Sequence, residues 1–168
     1  MKKIKSLNIA ILTISDTRKE VTDKSGNILK QRIDNSIHKV FEKKICKDEK
    51  REIEFILKNW LKKEDVNVII ATGGTGLTRR DIAPEIFKKF FEKEIPGFGE
   101  MFRFLSYKKI KTSALQSRAC AGISKGKYLF LLPGSPSACK DGWDQIIKFQ
   151  LNPSYKPCNL VEILPKIK

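Results

Sequence analysis

Residues 68–85 read VIIATGGTGLTRRDIAPE, and this stretch carries the clearest structural signal in the chain. A β-branched run at 66–70 ends abruptly at a loop containing three glycines, and Ile82, Ile86 and Phe90 then recur at helical spacing. Glycine allows backbone conformations that other side chains forbid, so consecutive N–H groups of the loop can turn toward one phosphate or carboxylate. The N-terminus of the following helix adds partial positive charge. The stretch therefore predicts an anion-binding corner, with a purely structural strand-to-helix turn as the alternative.

Inspection excludes two common phosphate-binding loops. Gly76 is followed by Leu77 and Thr78, where a Walker A loop requires Lys and then Ser or Thr. Arg79 occupies the position of the third glycine of a dinucleotide fingerprint. Asp81 places a carboxylate close to the loop, and two interpretations follow: either it caps the next helix, or a bridging cation links it to the bound anion.

Apolar patterns of strand length and helix length alternate along the chain. Strands are expected in residues 7–15, 40–45, 66–70 and 128–132. A hairpin is expected between 116 and 132, turning at Lys125 and Gly126, and helices are expected at 25–37, 48–61, 82–91 and 100–109. This alternation predicts a three-layer α/β/α fold with a mainly parallel sheet, in which ligands bind beyond the carboxyl ends of the strands.

Polar residues and prolines predict where helices begin. Asp23 or Ser25 is expected to cap the first helix and Asp48 the second, because their oxygens accept hydrogen bonds from unpaired N–H groups of the first turn. Pro136 occupies a favoured early position of the last long helix. That helix follows a second glycine corner, Pro133-Gly134-Ser135-Pro136, which is expected to face the same way as the loop after Ile70.

A length of 168 residues with 40% hydrophobic content suits a single domain. Two proline pairs, Asn152-Pro153 and Lys156-Pro157, interrupt regular structure near the end of the chain. We therefore expect an α/β domain over residues 1–151 and an extended C-terminal arm of the same domain over 152–168.

Composition argues against several classes of function. Lys and Arg number 34 against 19 Asp and Glu, a formal net charge of +15, but the basic residues are scattered without interleaved aromatics, so we expect no nucleic-acid partner. No apolar run reaches membrane-spanning length, so we expect a cytoplasmic protein without a membrane partner. Cys46, Cys120, Cys139 and Cys158 lack the paired spacing of zinc ligands, and Cys120 and Cys139 are expected to be buried thiols. His38 is expected at the surface.

Further segments along almost the whole chain add to the glycine loop. With them the chain resembles the MoaB/MogA family of molybdenum cofactor biosynthesis proteins, and it is most similar to the MoaB branch. The resemblance lies in Ser15-Asp16-Thr17, Asp23-Lys24-Ser25-Gly26, Pro96 with GFGEMFRFLS at 97–106, LQSR at 115–118, Pro133-Gly134-Ser135-Pro136 and Pro157-Cys158-Asn159.

The resemblance implies a fold and a reaction. The fold is the molybdopterin-binding type, with a mainly parallel, Rossmann-like sheet. The reaction is transfer of AMP from Mg-ATP to the terminal phosphate of molybdopterin, a pterin with a dithiolene, with release of pyrophosphate. The family's two functionally important aspartates match Asp48 and Asp81, which are therefore expected to be catalytic and to hold Mg²⁺. Assembly into a homotrimer or a dimer of trimers is also implied.

Two of the substrate-binding residues are assigned by the resemblance alone. The family's pterin-side serines match Ser106 and Ser117. Without the resemblance, an ordinary surface hydroxyl is an equally good interpretation of each. Arg118 is expected to hold a phosphate or to remain solvated, and Glu100 to cap a helix or to line the pocket. Ser135 stands where relatives often have Asn or Gln. The expected substrate-binding residues are Thr72, Gly73, Gly74, Thr75, Gly76, Glu100, Ser106, Ser117, Arg118, Pro133, Gly134, Ser135 and Pro136.

Three hypotheses about function stay open at the level of the sequence. The first is a molybdopterin adenylyltransferase, favoured by the retention of Asp48 and Asp81. The second is a molybdopterin-binding protein of the MoaB branch without transferase activity. The third, a basic nucleic-acid-binding domain, lacks the clustered basic stripe and stacking aromatics that it requires.

Overall fold

A single sheet of six strands runs through the computed structural model, which describes residues 6–167. The strand order is β2-β1-β3-β6-β5-β4. β1, β2, β3 and β6 run parallel, whereas the hairpin partner β5 and the short β4 make antiparallel pairings at one edge. The strand bounds are β1 Asn8–Ile14, β2 Lys39–Cys46, β3 Val68–Thr72, β4 Lys93–Glu94, β5 Cys120–Ser124 and β6 Lys127–Leu132.

Helices connect the strands and cover both faces of the sheet. Their bounds are α1 Lys24–Asp34, α2 Lys50–Lys62, α3 Ala83–Phe90, α4 Pro96–Ile110, α5 Pro136–Gly142, α6 Lys148–Gln150 and α7 Leu160–Ile163. A π-helical turn, Trp143–Ile147, joins α5 to α6, and 3-10 turns lie at Glu20–Thr22, Lys111–Gln116 and Leu164–Lys166. None of the helices within residues 6–167 has the length and apolar character needed to span a membrane.

The core lies in two apolar layers, one on each side of the sheet. Alternate residues of β1, β3 and β6 point to opposite sides, and both sets are buried, which is why these strands read as continuous apolar runs. α1, α4 and the helices after β6 cover one face, where Trp143 and Phe102 pack. α2 and α3 cover the other with Trp60 and Phe87. The predicted three-layer α/β/α fold is confirmed.

Several local predictions are settled by hydrogen bonds and burial. Asp23 is the cap of α1, because its Oδ1 accepts from the Gly26 N–H at 2.9 Å. The prediction that Asp48 caps α2 was wrong, because the N-cap of that helix is Glu49, whose side chain makes no capping hydrogen bond. The prediction for His38 was also wrong, since it is buried and its Nδ1 accepts from the Leu7 N–H at 3.2 Å. α4 begins at Pro96, four residues before its expected start at 100.

The chain after residue 151 packs against its own domain. The Tyr128 hydroxyl donates to the Leu160 carbonyl at 2.8 Å, and Val161 and Leu164 are buried in the same apolar layer as α1 and α4. The segment is therefore not extended throughout, because its last part forms the helical turns of α7 and Leu164–Lys166. Burial of these side chains holds the segment in the apolar layer on one face of the sheet.

Candidate functional site at the carboxyl edge of the sheet

The glycine loop after β3 adopts a backbone that requires glycine. Gly73 and Gly74 have φ of +107° and +65°, in the left-handed region. A Cβ at Gly73 would lie 2.0 Å from the Ile14 carbonyl oxygen, so β1 and the loop approach too closely for a side chain. The Gly73 N–H donates to the Leu132 carbonyl at 3.0 Å, which ties the loop to the end of β6. The ends of three parallel strands therefore meet at this loop.

A polar cleft of about 470 Å³ opens at this meeting point. It brings together both glycine corners predicted from the sequence. The Thr72 hydroxyl holds the two corners together by donating to the Pro133 carbonyl at 2.8 Å. The lining residues are Thr13, Ile14, Ser15, Arg18, Thr72, Gly73, Gly74, Thr75, Gly76, Asp81, Gly134, Ser135 and Pro136.

A polar network that no sequence pattern had assigned to the site supports the cleft, and its members Thr13 and Arg18 line the cleft directly. Asp23 is fully buried, accepts from the Thr13 hydroxyl at 2.8 Å and pairs with Lys43 at 3.1 Å. Arg18 donates to the Ser25 hydroxyl at 2.7 Å and to the Gly134 carbonyl at 2.9 Å. The segments containing Arg18, Asp23 and Ser25 thus fix the second glycine corner. Their contribution was hidden in the sequence because it depends on contacts between distant segments.

Asp48 packs directly against the glycine loop. A Cβ at Gly74 would lie 2.6 Å from Asp48 Oδ2, so the glycine leaves the space that this carboxylate uses. Asp48 is only 7% exposed, and its Oδ1 is buried without a hydrogen-bond partner among residues 6–167. Burial raises the pKa of this carboxyl, and the nearby Asp81 and Asp16 carboxylates raise it further, while a backbone hydrogen bond from Ile82 lowers it.

Asp81 flanks the same loop on its other side. A Cβ at Gly76 would lie 2.6 Å from Asp81 Oδ2. This carboxylate accepts hydrogen bonds from the Thr78 hydroxyl and from the Thr78 N–H, the latter at 3.0 Å, and these bonds lower its pKa. Asp81 is not a helix cap, because the N-cap of α3 is Ile82. Two aspartates that lie far apart in the sequence therefore bracket one glycine loop.

The donor set of this site suits a magnesium ion shared with phosphates. Within residues 6–167 no group of three or more His, Cys, Asp or Glu side chains is arranged to hold a metal. Mg²⁺ commonly takes only one or two carboxylates, with water and substrate phosphates completing its shell. The unpartnered Oδ1 of Asp48 is an acceptor that a cation would satisfy. The residues present therefore fit a nucleotide-bound Mg²⁺ and do not fit a protein-only metal cage.

A second cavity of about 320 Å³ adjoins the cleft and shares Thr75, Gly76 and Ser135 with it. Its other walls come from α4, the following 3-10 turn and α5. Ser106 donates its hydroxyl proton to the Phe102 carbonyl at 2.8 Å, so in this arrangement it offers only acceptor lone pairs to a ligand. The remaining lining residues include Phe102, Lys109, Ile110, Ser113, Gln116, Ser117, Pro133, Ser137, Ala138 and Asp141.

Ser117 lies at the same cavity with a different hydrogen-bond state. Its hydroxyl oxygen accepts from the Ala119 N–H at 3.4 Å, and no acceptor for its proton is found among residues 6–167. The hydroxyl can therefore donate to a ligand oxygen. The two serines predicted from the resemblance thus line one cavity but present opposite halves of a hydrogen bond to it.

Three other predicted residues, Arg118, Ser135 and Pro136, support the glycine corners, whereas Glu100 lies outside the cleft. Arg118 donates to the Thr75 carbonyl at 3.3 Å, to the Asp81 carbonyl at 2.6 Å and to the Glu85 carboxylate, so its guanidinium braces the glycine loop. Ser135 caps α5 by accepting from the Ala138 N–H at 3.1 Å, and Pro136 is the first residue of that helix. Glu100 is exposed on α4 and lines a third cavity of about 440 Å³ outside the cleft.

Comparison with known proteins agrees with this fold. Residues 10–153 match the sequence profile of a family described as "Probable molybdopterin binding domain". The chain belongs to the MoaB/MogA family of molybdenum cofactor biosynthesis proteins. It is 44% identical over 158 residues to molybdenum cofactor biosynthesis protein B of Escherichia coli (strain K12), covering 94% of this chain and 93% of that protein.

Two solved structures of this family superpose on the chain over nearly their whole length. The crystal structure of a molybdenum cofactor biosynthesis protein B has a TM-score of 0.88 at 38% identity, covering 98% of this chain and 97% of the other. The tungsten cofactor synthesizing protein MoaB from Pyrococcus furiosus has a TM-score of 0.81 at 34% identity, covering 97% and 98%. The resemblance noted in the sequence is therefore confirmed for both fold and family.

Proposed function

We propose that this protein acts in molybdenum cofactor biosynthesis by binding molybdopterin and transferring AMP from Mg-ATP to its terminal phosphate. The observation that carries the proposal is the glycine loop, which joins two cavities and has an aspartate on each side. Carboxylates suit a metal–nucleotide, whereas backbone N–H groups and hydroxyls bind a phosphate directly. The names of the similar proteins support the pathway.

The two cavities suggest how the substrates divide. The cleft bordered by Asp81, with Asp48 behind Gly74, takes the nucleotide phosphates. The adjoining cavity, with Phe102 and Ile110 beside Ser106 and Ser117, takes the pterin, because an aromatic and apolar wall suits a flat ring and hydroxyls suit its polar edge. Thr75 and Gly76, two of the three shared residues, then lie where the terminal phosphate of the pterin substrate meets the α-phosphate of ATP.

The chemistry is a nucleotidyl transfer. An oxygen of the molybdopterin phosphate attacks the α-phosphorus of ATP, a new P–O–P bond forms, and the bond between the α-phosphorus and the bridging oxygen breaks, so that pyrophosphate leaves with its electron pair. Bound Mg²⁺ supplies neutralisation of the growing negative charge. The protein aligns the two phosphates through the loop N–H groups and holds the charged components with Asp48 and Asp81.

The location and the assembly of the protein are also part of the proposal. The protein acts in the cytoplasm as a homotrimer or a dimer of trimers, without nucleic-acid or membrane partners. Supporting the assembly, Met101, Phe104, Tyr107 and Ile110 recur every three residues on α4 and are each more than half exposed. Light scattering of the purified protein tests the assembly, and a monomer would contradict it.

Incubation of the purified protein with molybdopterin and Mg-ATP, followed by measurement of pyrophosphate, tests the transfer. Release of pyrophosphate that depends on both substrates is expected. A protein that binds molybdopterin but releases no pyrophosphate would instead be the non-catalytic member of the pathway. Failure to bind molybdopterin would overturn both forms of the proposal.

A further inference from the structure

An ion pair between Asp16 and Arg80 joins three separate loops next to the cleft. Asp16 follows Ser15 and Arg80 precedes Asp81, and both of those neighbours line the cleft. Asp16, in the loop after β1, accepts from Arg80 Nη2 at 2.6 Å and from Arg80 Nε at 3.2 Å, both through Oδ2. Its other oxygen, Oδ1, accepts from the Asp48 N–H at 3.1 Å. Asp16 thus holds a guanidinium from the glycine-loop segment beside the loop that carries Asp48.

The guanidinium of Arg80 has N–H groups that donate to no acceptor among residues 6–167. Its side chain is 60% exposed, and both bonds to Asp16 use Nε and Nη2. Within residues 6–167, Nη1 has no protein acceptor, so at least its two N–H groups face solvent. An arginine held by one carboxylate with free N–H groups can accept a phosphate as a second partner without first breaking its ion pair.

The nearby arginines differ from Arg80 in their hydrogen bonds. Arg18 donates to Ser25 and Gly134, and Arg118 donates to Thr75, Asp81 and Glu85. Both therefore brace the backbone of the cleft. Arg79 is exposed, and no bond to Asp16 or to the Asp48 loop orients it. Of the described arginines at this edge, Arg80 combines an orienting partner with unused donors.

The carboxylates near the cleft favour a cationic side chain at the position of Arg80. The carboxylates of Asp16 and Asp81 both lie close enough to Asp48 to interact with it electrostatically. An ionised carboxylate repels an approaching triphosphate. Arg80 lies close enough to interact electrostatically with both Asp16 and Asp48.

We propose that Arg80 binds the β- and γ-phosphates of ATP, the part that leaves as pyrophosphate, and that Asp16 is the residue that positions Arg80 for this task. The assignment rests on the proposed function and adds to it a residue that touches the nucleotide. It also gives a role to the segment containing Asp16, which neither the aspartate pair nor the pterin cavity explains.

The test measures equilibrium binding, so that it does not depend on turnover. Binding of Mg-ATP, of Mg-pyrophosphate and of molybdopterin is measured by calorimetry for wild type, Arg80→Ala, Arg80→Lys and the matched control Arg79→Ala. Arg80→Ala is expected to weaken Mg-ATP and Mg-pyrophosphate binding by about 10- to 100-fold, the range for a lost charged hydrogen bond. Molybdopterin affinity should stay within about twofold, and Arg80→Lys should fall between the two because it keeps charge but loses the planar fork.

Asp16 is tested through its dependence on Arg80. Asp16→Asn should weaken Mg-ATP binding by roughly threefold in the wild-type background and have no further effect in Arg80→Ala, because residues that act together are not additive. An equal effect of Asp16→Asn in both backgrounds would show a merely structural role and overturn the positioning assignment.

The outcomes separate this inference from the proposed function. If Arg80→Ala and Arg79→Ala bind Mg-ATP and Mg-pyrophosphate equally well, the Arg80 assignment is wrong even though the wild type transfers AMP. If the wild type releases no pyrophosphate but loses Mg-pyrophosphate binding on Arg80→Ala, the assignment holds and the catalytic proposal fails. A wild type that binds neither nucleotide nor pyrophosphate would overturn both. Circular dichroism at 25 °C verifies that each variant is folded.

Discussion

The polar cleft and the adjoining cavity share Thr75, Gly76 and Ser135 but are built by different means. The cleft is made of strand ends and glycine backbone, with carboxylates packed where a Cβ cannot fit. The cavity is made of side chains on α4, the 3-10 turn and α5. A site built from backbone has few tolerable substitutions, whereas a site built from helix side chains can lose one hydroxyl and keep its shape. Substitutions in the cleft should therefore have larger effects than substitutions of single hydroxyls in the cavity.

Replacing Gly73 by Ala should have the largest effect. The new Cβ would lie 2.0 Å from the Ile14 carbonyl oxygen in a backbone with φ of +107°, so strand ends must separate. We expect the free energy of unfolding to fall by about 3 kcal/mol, with loss of binding for both ligands. Gly97→Ala is the matched control, because its Cβ would meet nothing within 4 Å in the first turn of α4. Urea denaturation measures both, and equal stability of the two variants would refute the backbone argument.

Replacing either Asp48 or Asp81 by Asn should separate the two halves of the site. The change preserves shape and removes charge, so transfer of AMP should fall by about 100-fold or more, as when one transition-state electrostatic contact is deleted. Molybdopterin affinity should be retained. Asp34→Asn, an exposed residue paired only with Lys30 on α1, serves as control. Single-turnover pyrophosphate release measures the rate, and undiminished turnover in both Asn variants would reject the assigned roles.

The sequence predicted the parts of this molecule that depend on local patterns. Apolar runs of strand length and helical spacing, together with glycine at the end of β3, sufficed for the layer order and for the position of the glycine corner. The prediction that Asp48 caps α2 was wrong, because its carboxylate instead packs against Gly74, which is distant in sequence. Arg118 was expected either to hold a phosphate or to remain solvated, and its three protein acceptors were not foreseen. They are Thr75, Asp81 and Glu85, which only the tertiary fold brings to it.

The structure shows different hydrogen bonds for Ser106 and Ser117, which the resemblance assigned together to the pterin side. Ser117→Ala should weaken molybdopterin binding by about fivefold, since it removes a hydroxyl whose proton is available to a ligand oxygen. Ser106→Ala should weaken binding of the molybdopterin phosphate less, because the Ser106 hydroxyl already donates to the Phe102 carbonyl. Affinities for molybdopterin with and without its terminal phosphate measure this difference, with Ser154→Ala as an exposed control. A larger loss for Ser106→Ala than for Ser117→Ala would reverse the assignment.

The smallest effect concerns stability and follows from the raised pKa of Asp48. A carboxyl whose pKa is higher in the folded state than in the unfolded state opposes folding when it is ionised, and burial is the main cause here. Asp48→Asn should therefore raise Tm at pH 7 by roughly 2–4 °C, which corresponds to about 1 kcal/mol in a domain of this size. The gain should persist down to the folded-state pKa and shrink as the pH falls from there toward the ordinary pKa of Asp, because the wild-type carboxyl then becomes neutral. Saturating Mg-ATP should stabilise the wild type more than the variant, since the cation satisfies Oδ1. Thermal unfolding from pH 4 to pH 8 tests this, and a variant less stable than the wild type at pH 7 would mean that the buried carboxylate supports the fold instead of the ligand.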